Sequence, residues 1–512
     1  MRTVSGSTDH VVVVGAGLAG LSAAIHLAGR GRRVTVVERE QGPGGRMGRL
    51  DIGGYRIDTG PTVLTMPEIL DDVFAAVGER STDRLELSAV TPAYRAIYAD
   101  GRTLAVHSDE QRMIQSLGEF GGPDDVAGYR RLRAWLTRLY RAEFDRFIGA
   151  NFDSPLSMLT PELFRLIGLG GFRRWDRKVS EFVRDPDLRR VFTFQALYAG
   201  VPPSRALAAY AVIAYMDTIA GVYFPKGGMY SVPRALADAA TAAGVRIRYD
   251  TTVIRADRSD GRVTALHTDS DDRIDCDAVV LTAERHRSHE LLGHRSRRPA
   301  RVRAAPSALV VHLGCRSMGP RAGHHTLLFG DAWHSVFRDI TSTGELMSDP
   351  SLLLTRPTAA DPSLAPTGRD LLYLLAPVPN LERGHTDWTD FGARYAERMV
   401  ETAQRRLGQS WSDVEILRVV TPVDWAARDM LAGTPFALAH SFTQTGPFRP
   451  ANMIRGIDNV VLAGGSTVPG VGIPPVLISG RLAADRITGT VRAGRNTEPD
   501  QRLRTMSGPE PK

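Results

Sequence analysis

The amino-terminal end of the chain alternates apolar runs of strand length with apolar residues at helical spacing. Four consecutive valines at residues 11–14 are typical of a short buried strand, and apolar residues then return at Leu21, Ile25 and Leu27, on one face of a helix. A second apolar run follows at residues 34–37. This pattern predicts a strand, a helix and a second strand, which is the repeating unit of a parallel sheet.

Three glycines join the first predicted strand to the helix without a linker. Gly15 allows the chain to bend, Gly17 lets the backbone approach a pyrophosphate, and Gly20 lets the helix pack against the strand. The first amides of the helix, at Leu18 and Ala19, then face the bound anion. The glycine spacing and its context therefore predict a dinucleotide site.

The residues after the second strand extend this predicted site. Glu38 ends the strand, where its carboxylate can accept hydrogen bonds from a ribose hydroxyl pair, and Arg39 follows it. In the glycine-rich loop that comes next, Gly45 exposes bare backbone and Arg46 adds a positive charge near the phosphates or the edge of an isoalloxazine ring. Taken alone, this loop is also compatible with an ordinary hairpin turn.

A second glycine-rich junction between a strand and a helix lies near the other end of the chain. A buried strand at residues 460–463 runs into Gly464, Gly465 and Gly472, and a helix begins near Ile473 and Pro474. Two such junctions imply one discontinuous nucleotide-binding domain. The second helix can direct its amino terminus at the far end of the cofactor, where a reduced flavin develops negative charge. The sequence therefore favours FAD over NAD.

Composition changes this picture little, because 512 residues of ordinary globular composition allow two domains or one large one. The net charge of +7 suggests an anionic partner, but only 3 of the 64 basic residues are lysine, a ratio typical of coding bias, and we predict no nucleic-acid partner. Cys276 and Cys315 lack metal-ligand spacing, and the adjacent His324 and His325 point to opposite faces of a strand. We assign no metal.

Two segments are candidates for contact with a membrane because of their apolar residues. The longest apolar stretch, residues 205–224, is interrupted by Asp217 and is too short to form a spanning helix, and the polar amino terminus does not suggest a signal peptide. A basic amphipathic helix predicted at residues 129–148 either lies in a membrane interface or packs on its own domain. We predict no transmembrane segment, and a flexible polar tail at residues 491–512.

Further motifs carry a resemblance to a known family, over about residues 11–487. They are GYRIDTGPTVLTMP (54–67), FTFQALYAGVPPSRALAAYAVIAYMDTIAGVYFPKGGM (192–229), HHTLLFG (324–330), DPSLAPTGRDLLYLLAPVPNL (361–381) and FRPANMIRGIDNVVLAGGSTVPGVGIP (448–474). The chain resembles the bacterial-type phytoene desaturases and related carotenoid desaturases, flavoproteins of the amine-oxidase-like superfamily. The resemblance implies bound FAD, a C40 polyene substrate drawn from the bilayer, a quinone or oxygen as electron acceptor, and a cytoplasmic enzyme attached peripherally to the membrane.

Several single residues can be assigned roles in cofactor binding or catalysis. Asp58 is interpreted as shaping the flavin loop, and the following Gly60, Pro61 and Thr62 border the isoalloxazine ring. In the family that the chain resembles, the backbone at the position of Val253 holds adenine. The family pattern nominates Asp361 as the acceptor of the substrate proton, although Asp-Pro-Ser is also a turn signature.

The sequence departs from the family pattern in three places. Ser157 and Thr160 stand where some relatives carry an acid and an arginine proposed as acid/base partners, so those partners cannot be universal catalysts. In the carboxy-terminal glycine motif, Val468 replaces a common His and Pro475 a common Gly. Neither change removes a backbone donor from the start of the last helix.

We therefore predict an α/β fold with a discontinuous Rossmann-like FAD-binding domain, an α+β substrate domain and a helical membrane-associating region. The FAD-binding domain comprises residues 9–75, 228–290 and 456–490. The helical substrate and membrane-associating region comprises residues 76–227, and the substrate domain comprises residues 291–455.

The predicted function is FAD-dependent desaturation of 15-cis-phytoene, by successive removal of hydride and proton, toward lycopene or a product with fewer new double bonds. The enzyme alternatives are a later-pathway carotenoid desaturase, a saturase, an isomerase or a flavin amine oxidase. A prenyl-lipid binding protein similar to the GDP-dissociation inhibitors is the alternative without catalysis. The sequence leaves the oligomeric state open.

Overall fold

The structure is a computed structural model and describes residues 1–197, 199–293, 302–316, 318–319 and 321–490. The tail predicted at residues 491–512 lies outside the described residues. In the described part of the chain, the α-helices α1 to α14 are Leu18–Ala28, Pro67–Ala75, Glu110–Phe120, Pro123–Glu143, Pro161–Gly168, Trp175–Ser180, Pro186–Thr193, Val212–Tyr215, Ser231–Ala242, Arg285–Leu291, Trp333–Arg338, Trp388–Leu407, Pro422–Ala427 and Ile473–Thr488.

The strands are numbered in the same way, along the described residues. Strands β1 to β19 are His10–Val14, Arg33–Val37, Arg49–Ile52, Tyr55–Asp58, Leu87–Ala89, Tyr94–Ile97, Thr103–Val106, Tyr223–Pro225, Arg246–Arg248, Val253–Ser259, Arg262–Thr268, Arg273–Asp275, Ala278–Leu281, Ser307–Arg316, His325–Leu328, Leu352–Thr355, Arg369–Val378, Glu415–Val420 and Val460–Leu462.

A parallel five-stranded sheet, in the order β19-β13-β1-β2-β9, forms the nucleotide-binding end of the fold. Its strands all come from the three segments that the sequence assigned to the FAD-binding domain. Val11 and Val13 pack with the helices α1, α9 and α14, whereas Val12 packs on the other side with Val263 of the three-stranded sheet β10-β11-β12. Because both faces of the sheet are covered, β1 is a continuous apolar run and does not alternate.

A second, seven-stranded sheet has the order β18-β14-β17-β16-β15-β6-β7. Strands β6 and β7 come from residues 76–227, which the sequence assigned to a helical region, so that this assignment is wrong for these two strands. Strand β6 pairs in parallel with β15, placing Ala96 opposite Leu327. The strands form because buried Tyr94, Ala96 and Ile97 complete the apolar core of the sheet.

The amphipathic helix predicted at residues 129–148 is the carboxy-terminal part of α4 with the turn that follows it. Its apolar residues Tyr129, Leu132, Trp135 and Leu139 are all buried in the main core of the protein. The helix therefore packs on its own domain, the second of the two interpretations that the pattern allowed. In the described ranges, no helix combines the length and apolar character that a membrane crossing requires.

Candidate active site

One large cavity of about 1140 Å³ extends from the glycine-rich turns at the carboxyl edge of the parallel sheet into the apolar interior. Such a crevice at the ends of parallel strands is where open α/β sheets bind their ligands. Of the residues predicted to contact the cofactor, all but Gly20 line this cavity: Gly15, Gly17, Leu18, Ala19, Glu38, Arg39, Gly45, Arg46, Gly60, Pro61, Thr62, Val253, Gly464, Gly465, Gly472, Ile473 and Pro474.

The first glycine turn has the geometry that its spacing predicts. Gly15 has a φ of +105°, and a Cβ there would lie 2.2 Å from the hydroxyl of Thr282. A Cβ on Gly20 would lie 1.9 Å from the carbonyl oxygen of Gly15, so that Gly20 is required for helix packing. By contrast, a Cβ on Gly17 would be 3.9 Å from its nearest neighbours in the protein, so the space in front of Gly17 is open to a ligand.

Glu38 is buried beside this turn and is held by two backbone amides. One carboxylate oxygen accepts a hydrogen bond from the amide of Ala16 at 2.6 Å, and the other accepts one from Glu40 at 3.0 Å. Each oxygen of a carboxylate has two lone pairs, so each can also accept a bond from a ribose hydroxyl. The arrangement fits the adenosine half of a dinucleotide.

A bridge of charged and polar side chains joins the two glycine-rich junctions. Glu284 accepts hydrogen bonds from the guanidinium of Arg46 and from the hydroxyl of Ser466. Arg39, farther along the same wall, forms an ion pair with Asp429 at 2.8 Å. The bridge holds Arg46 at the cavity, where its charge was predicted, and it also connects the amino-terminal loop to the carboxy-terminal junction.

The far end of the site is formed by the amino terminus of α14. Gly464 and Gly472 have φ values of +114° and +120°, which favour glycine, and α14 begins directly after Gly472. Gly60 is equally constrained, because a Cβ there would lie 1.9 Å from the carbonyl oxygen of Arg46. Bare backbone at two glycine-rich junctions of one cavity, each with a helix amino terminus, fits a two-part cofactor such as FAD.

Thr62 marks the boundary between the predicted flavin end and the interior. Its buried hydroxyl accepts a hydrogen bond from Thr355 at 3.1 Å, and the Thr355 hydroxyl lies 3.0 Å from Nδ1 of His325. Asp58 lies upstream, where burial raises its pKa to about 6 although bonds from the amides of Met229 and Tyr230 lower it. Asp58 thus ties β4 to the start of α9, consistent with a role in shaping the loop.

Asp361 lies outside the cavity lining. Its carboxylate accepts hydrogen bonds from the amide and the hydroxyl of Ser363, at 3.0 and 2.6 Å, and from the amide of Gly227 at 2.7 Å. Burial works to raise the pKa of Asp361, but these bonds outweigh it and hold the pKa below its usual range. The geometry is that of the turn its sequence also indicated, and we do not carry forward its nomination as proton acceptor.

The inner part of the cavity is apolar, with a few titratable groups in its wall. Leu207, Val212, Ile213 and Met216, from the apolar stretch that Asp217 interrupts, line this part. Core packing explains part of that stretch and the cavity wall the rest.

Two acidic residues, Glu143 and Asp217, are also among the residues that line the inner cavity. Burial raises the pKa of Glu143 well above its usual range, and its Oε1 has no hydrogen-bond partner among the described residues. Burial raises the pKa of Asp217 to about 7, while hydrogen bonds from Tyr94 and Gln195 lower it.

Comparison with known proteins identifies the family. The model of the flavin-containing amine oxidoreductases matches residues 18–488. The chain belongs to this family. It is 59% identical to a phytoene dehydrogenase of Streptomyces griseus over 96% of this chain and 97% of the relative, and 37% identical to a zeta-carotene-forming phytoene desaturase of Myxococcus xanthus over 94% and 95%.

Solved structures agree on the fold of this amine oxidoreductase. An oxidoreductase from Methanosarcina mazei superposes with a TM-score of 0.60 at 16% identity, covering 92% of this chain and 99% of that one. The fold is thus the FAD-binding fold of the flavin amine oxidoreductases, with mixed α and β content, and FAD is its cofactor. The predicted resemblance to the phytoene desaturases is confirmed by these relatives.

Sequence reasoning missed three side chains of this family member's site: Glu284, Glu143 and Asp217. Glu284 follows the end of β13, an edge at which parallel sheets place functional residues, and that position was a usable signal. Asp217 was noticed only as an interruption of an apolar stretch. For Glu143 no local signal exists, because an acid on a basic amphipathic helix is ordinarily exposed.

Proposed function

We propose that this chain is an FAD-dependent phytoene desaturase, which removes hydride and proton successively from 15-cis-phytoene toward lycopene or a product with fewer new double bonds. The observation that carries this proposal is the single cavity that joins the dinucleotide turn to an apolar interior. An elongated apolar container is what a C40 hydrocarbon requires next to a redox cofactor. The names of the relatives from Streptomyces and Myxococcus support the same substrate.

The residues of the chain have separable tasks in this reaction. FAD, when bound, supplies the acceptor for the hydride. The turn at Gly17 and the carboxylate of Glu38 would hold its ADP half, and Pro61 and Thr62 would border its reactive ring. The apolar wall formed by Leu207, Ile213 and Met216 would hold the hydrocarbon and exclude water from the reacting carbons.

Incubation of the FAD-loaded protein with 15-cis-phytoene in liposomes tests the function. The reaction is run anaerobically with a quinone and then with oxygen, and the products are separated by chromatography. We expect stepwise red shifts of the chromophore, whose number gives the count of new double bonds and whose dependence on the acceptor identifies the oxidant. A yellow but inert protein would favour a later carotenoid substrate or an amine, and a colourless one would favour lipid carriage.

We further propose that the chain associates peripherally with a membrane through an apolar surface at the mouth of the cavity. This mouth patch consists of exposed side chains from residues 156–167 and 442–448: Leu156, Leu159, Phe164, Ile167, Phe442 and Phe448. Met158, Leu163, Phe442 and Phe448 also line the cavity, so the patch and the interior are continuous. Exposed apolar patches of this kind mark interaction sites, and hydrocarbon leaving a bilayer would enter here.

Vesicle flotation of paired variants tests this association. Phe164 is 66% exposed within the mouth patch, and Ile416 is 41% exposed on β18, outside the cavity lining. We expect Phe164→Glu to reduce binding to vesicles severalfold and Ile416→Glu to leave it unchanged. Equal binding of both variants would contradict the proposed surface.

A further inference from the structure

The residues of the inner cavity wall include an aspartate, Asp217, whose carboxyl group is buried and hydrogen-bonded. Asp217 is buried, on the turn Met216–Ala220 that follows α8, and its Oδ2 accepts a hydrogen bond from the hydroxyl of Tyr94 at 3.1 Å. The side chain of Gln195 is also close enough to this carboxyl group to lower its pKa. The turn has the wider hydrogen bonding of a π-helix, a local distortion that is frequent at functional sites.

A line of contacts connects Asp217 to the predicted flavin end of the same cavity. Thr62, which borders that end, contacts Thr355 at 3.1 Å, and Thr355 contacts His325 at 3.0 Å. The ring of His325 then lies 5.6 Å from the ring of Tyr94, centroid to centroid. Asp217 and Thr62 thus both line the cavity, and buried side chains of β6, β15 and β16 connect them.

From this placement we infer that Asp217 is the catalytic base, which takes the proton from the substrate carbon next to the one that loses hydride. The inference rests on the proposed function. Bound FAD would supply the acceptor for the hydride, which leaves one substrate carbon with its electron pair. The C–H bond of the neighbouring carbon then breaks, its electron pair becomes the new π bond, and the proton binds a carboxylate oxygen of Asp217.

The proton must leave again before the next turnover. A quinone or oxygen takes up one hydride equivalent from the reduced cofactor and one proton, giving hydroquinone or hydrogen peroxide. This uptake returns Asp217 to its ionised form, so electrons and protons balance over the cycle.

Other titratable groups of the inner wall are less suited to this task. Burial holds the pKa of Glu143 well above its usual range, and its Oε1 has no hydrogen-bond partner among the described residues that would favour the carboxylate. Burial, assisted by the charge of Arg449, holds the pKa of His440 well below its usual range. The pKa of Asp217, raised by burial to about 7, lies where a general base is most effective, because both protonation states are populated.

The side chains around Asp217 determine how a substitution would shift its pKa. Tyr94 reaches it from β6 and Gln195 from the turn Phe194–Leu197, and His325 of β15 lies behind Tyr94. Among the described residues, no charged side chain contributes to the shift of its pKa. Tyr94 is therefore a positioning residue, and loss of its hydroxyl raises the pKa of Asp217, because its hydrogen bond favours the carboxylate.

Two measurements on the FAD-loaded protein test the inference. Infrared difference titration follows the carboxylic acid C=O band, assigned with labelled aspartate, and requires no turnover. We expect a band that titrates near pH 7, is absent in Asp217→Asn, and titrates at higher pH in Tyr94→Phe. Absence of any aspartate titration between about pH 5 and 9 would overturn the inference.

Anaerobic stopped-flow reduction of the bound FAD by 15-cis-phytoene in vesicles is the second measurement. We expect Asp217→Asn to retain FAD but to slow reduction by ~100-fold or more, the usual effect of losing a general base. The acid limb of the rate should move to higher pH in Tyr94→Phe. Asp339→Asn, which changes another buried aspartate outside the cavity lining, should reduce its FAD at the wild-type rate.

The two possible failures are distinguishable. A normal wild-type rate together with an unchanged rate in Asp217→Asn would overturn the role of Asp217 alone. A wild-type protein whose FAD is not reduced by phytoene would overturn the proposed function, and the base assignment with it, even if the infrared band titrates as expected.

Discussion

The two ends of the cavity are built by different means. At the nucleotide end, bare glycine backbone, as at Gly17 and Gly472, forms the surface together with charged side chains such as Glu38 and Arg46. At the inner end, the surface consists mostly of apolar side chains, with single titratable residues among them such as Glu143, Asp217 and His440. A backbone surface recognises a phosphate group in any sequence context, whereas the inner surface depends on which side chains the fold brings together.

The difference extends to electrostatics. Glu38 accepts hydrogen bonds from two backbone amides, and Glu284 accepts hydrogen bonds from Arg46 and Ser466. Asp217 has only uncharged donors in Tyr94 and Gln195, and burial outweighs them. The acidic residues of the nucleotide end therefore meet charged or backbone donors, whereas Asp217 at the inner end meets only uncharged side-chain donors.

The largest effect is expected from a substitution at Gly17 that fills the space predicted for the pyrophosphate. Gly17→Val places a branched side chain in the open space in front of the turn, where the pyrophosphate would lie, so we expect FAD retention to be abolished while the fold persists. Gly118→Val in α3, where a Cβ would meet nothing within 4 Å, is the control. The ratio of flavin to protein absorbance measures the outcome, and a normal flavin content in Gly17→Val would refute the placement of the site.

At the inner end, we expect a substitution of Asp217 to stabilise the folded protein. The folded pKa of Asp217 is raised from 3.8 to about 7, so the folded state loses stability as the pH rises through this interval. Asp217→Asn removes this cost, and we expect it to increase the free energy of unfolding by up to about 4 kcal/mol at pH 8, since each pKa unit is worth about 1.36 kcal/mol.

Thermal unfolding of wild type and Asp217→Asn at pH 4 and at pH 8 checks this prediction. At pH 4 the carboxyl is protonated in the folded protein, so the two proteins should differ little there. An Asp217→Asn variant that unfolds at a lower temperature than the wild type at pH 8 would show that the ionised carboxylate is not strained by burial.

The smallest effect on chemistry is expected from Asp361. Asp361→Asn weakens the bonds that its carboxylate accepts from Ser363 and Gly227, at a cost of about 1 kcal/mol in stability. The rate of FAD reduction per bound flavin should stay within about twofold of wild type, because the side chain does not reach the cavity. A tenfold slower reduction with normal flavin content would restore the nomination of Asp361.

The same contrast explains what the sequence could predict. The strand-glycine-helix junctions are continuous in sequence, so their geometry follows from local rules, and Gly15, Gly17 and Gly20 occupy the places that those rules give them. Strand β6 was missed because it pairs with β15, more than two hundred residues away along the chain, and β7 was missed with it because it pairs with β6 at the edge of the same sheet.

The inner site was missed for a related reason. Tyr94, His325 and Asp217 belong to three separate segments, and no spacing within any of them indicates that they meet. The residues around Asp361, in contrast, are continuous in sequence. Their pattern is the same for a structural turn and for a catalytic acid, so the sequence could not distinguish the two. Only the positions of Ser363 and Gly227 around its carboxylate separate the two.

The most direct test of the account is a single anaerobic turnover. The FAD-loaded protein is mixed with excess 15-cis-phytoene in vesicles without an electron acceptor, and flavin absorbance and products are recorded together. The account predicts bleaching of the flavin and formation of one new double bond for each FAD reduced, because one cavity brings the hydride acceptor and the hydrocarbon together. A flavin that stays oxidised beside unchanged phytoene would contradict it.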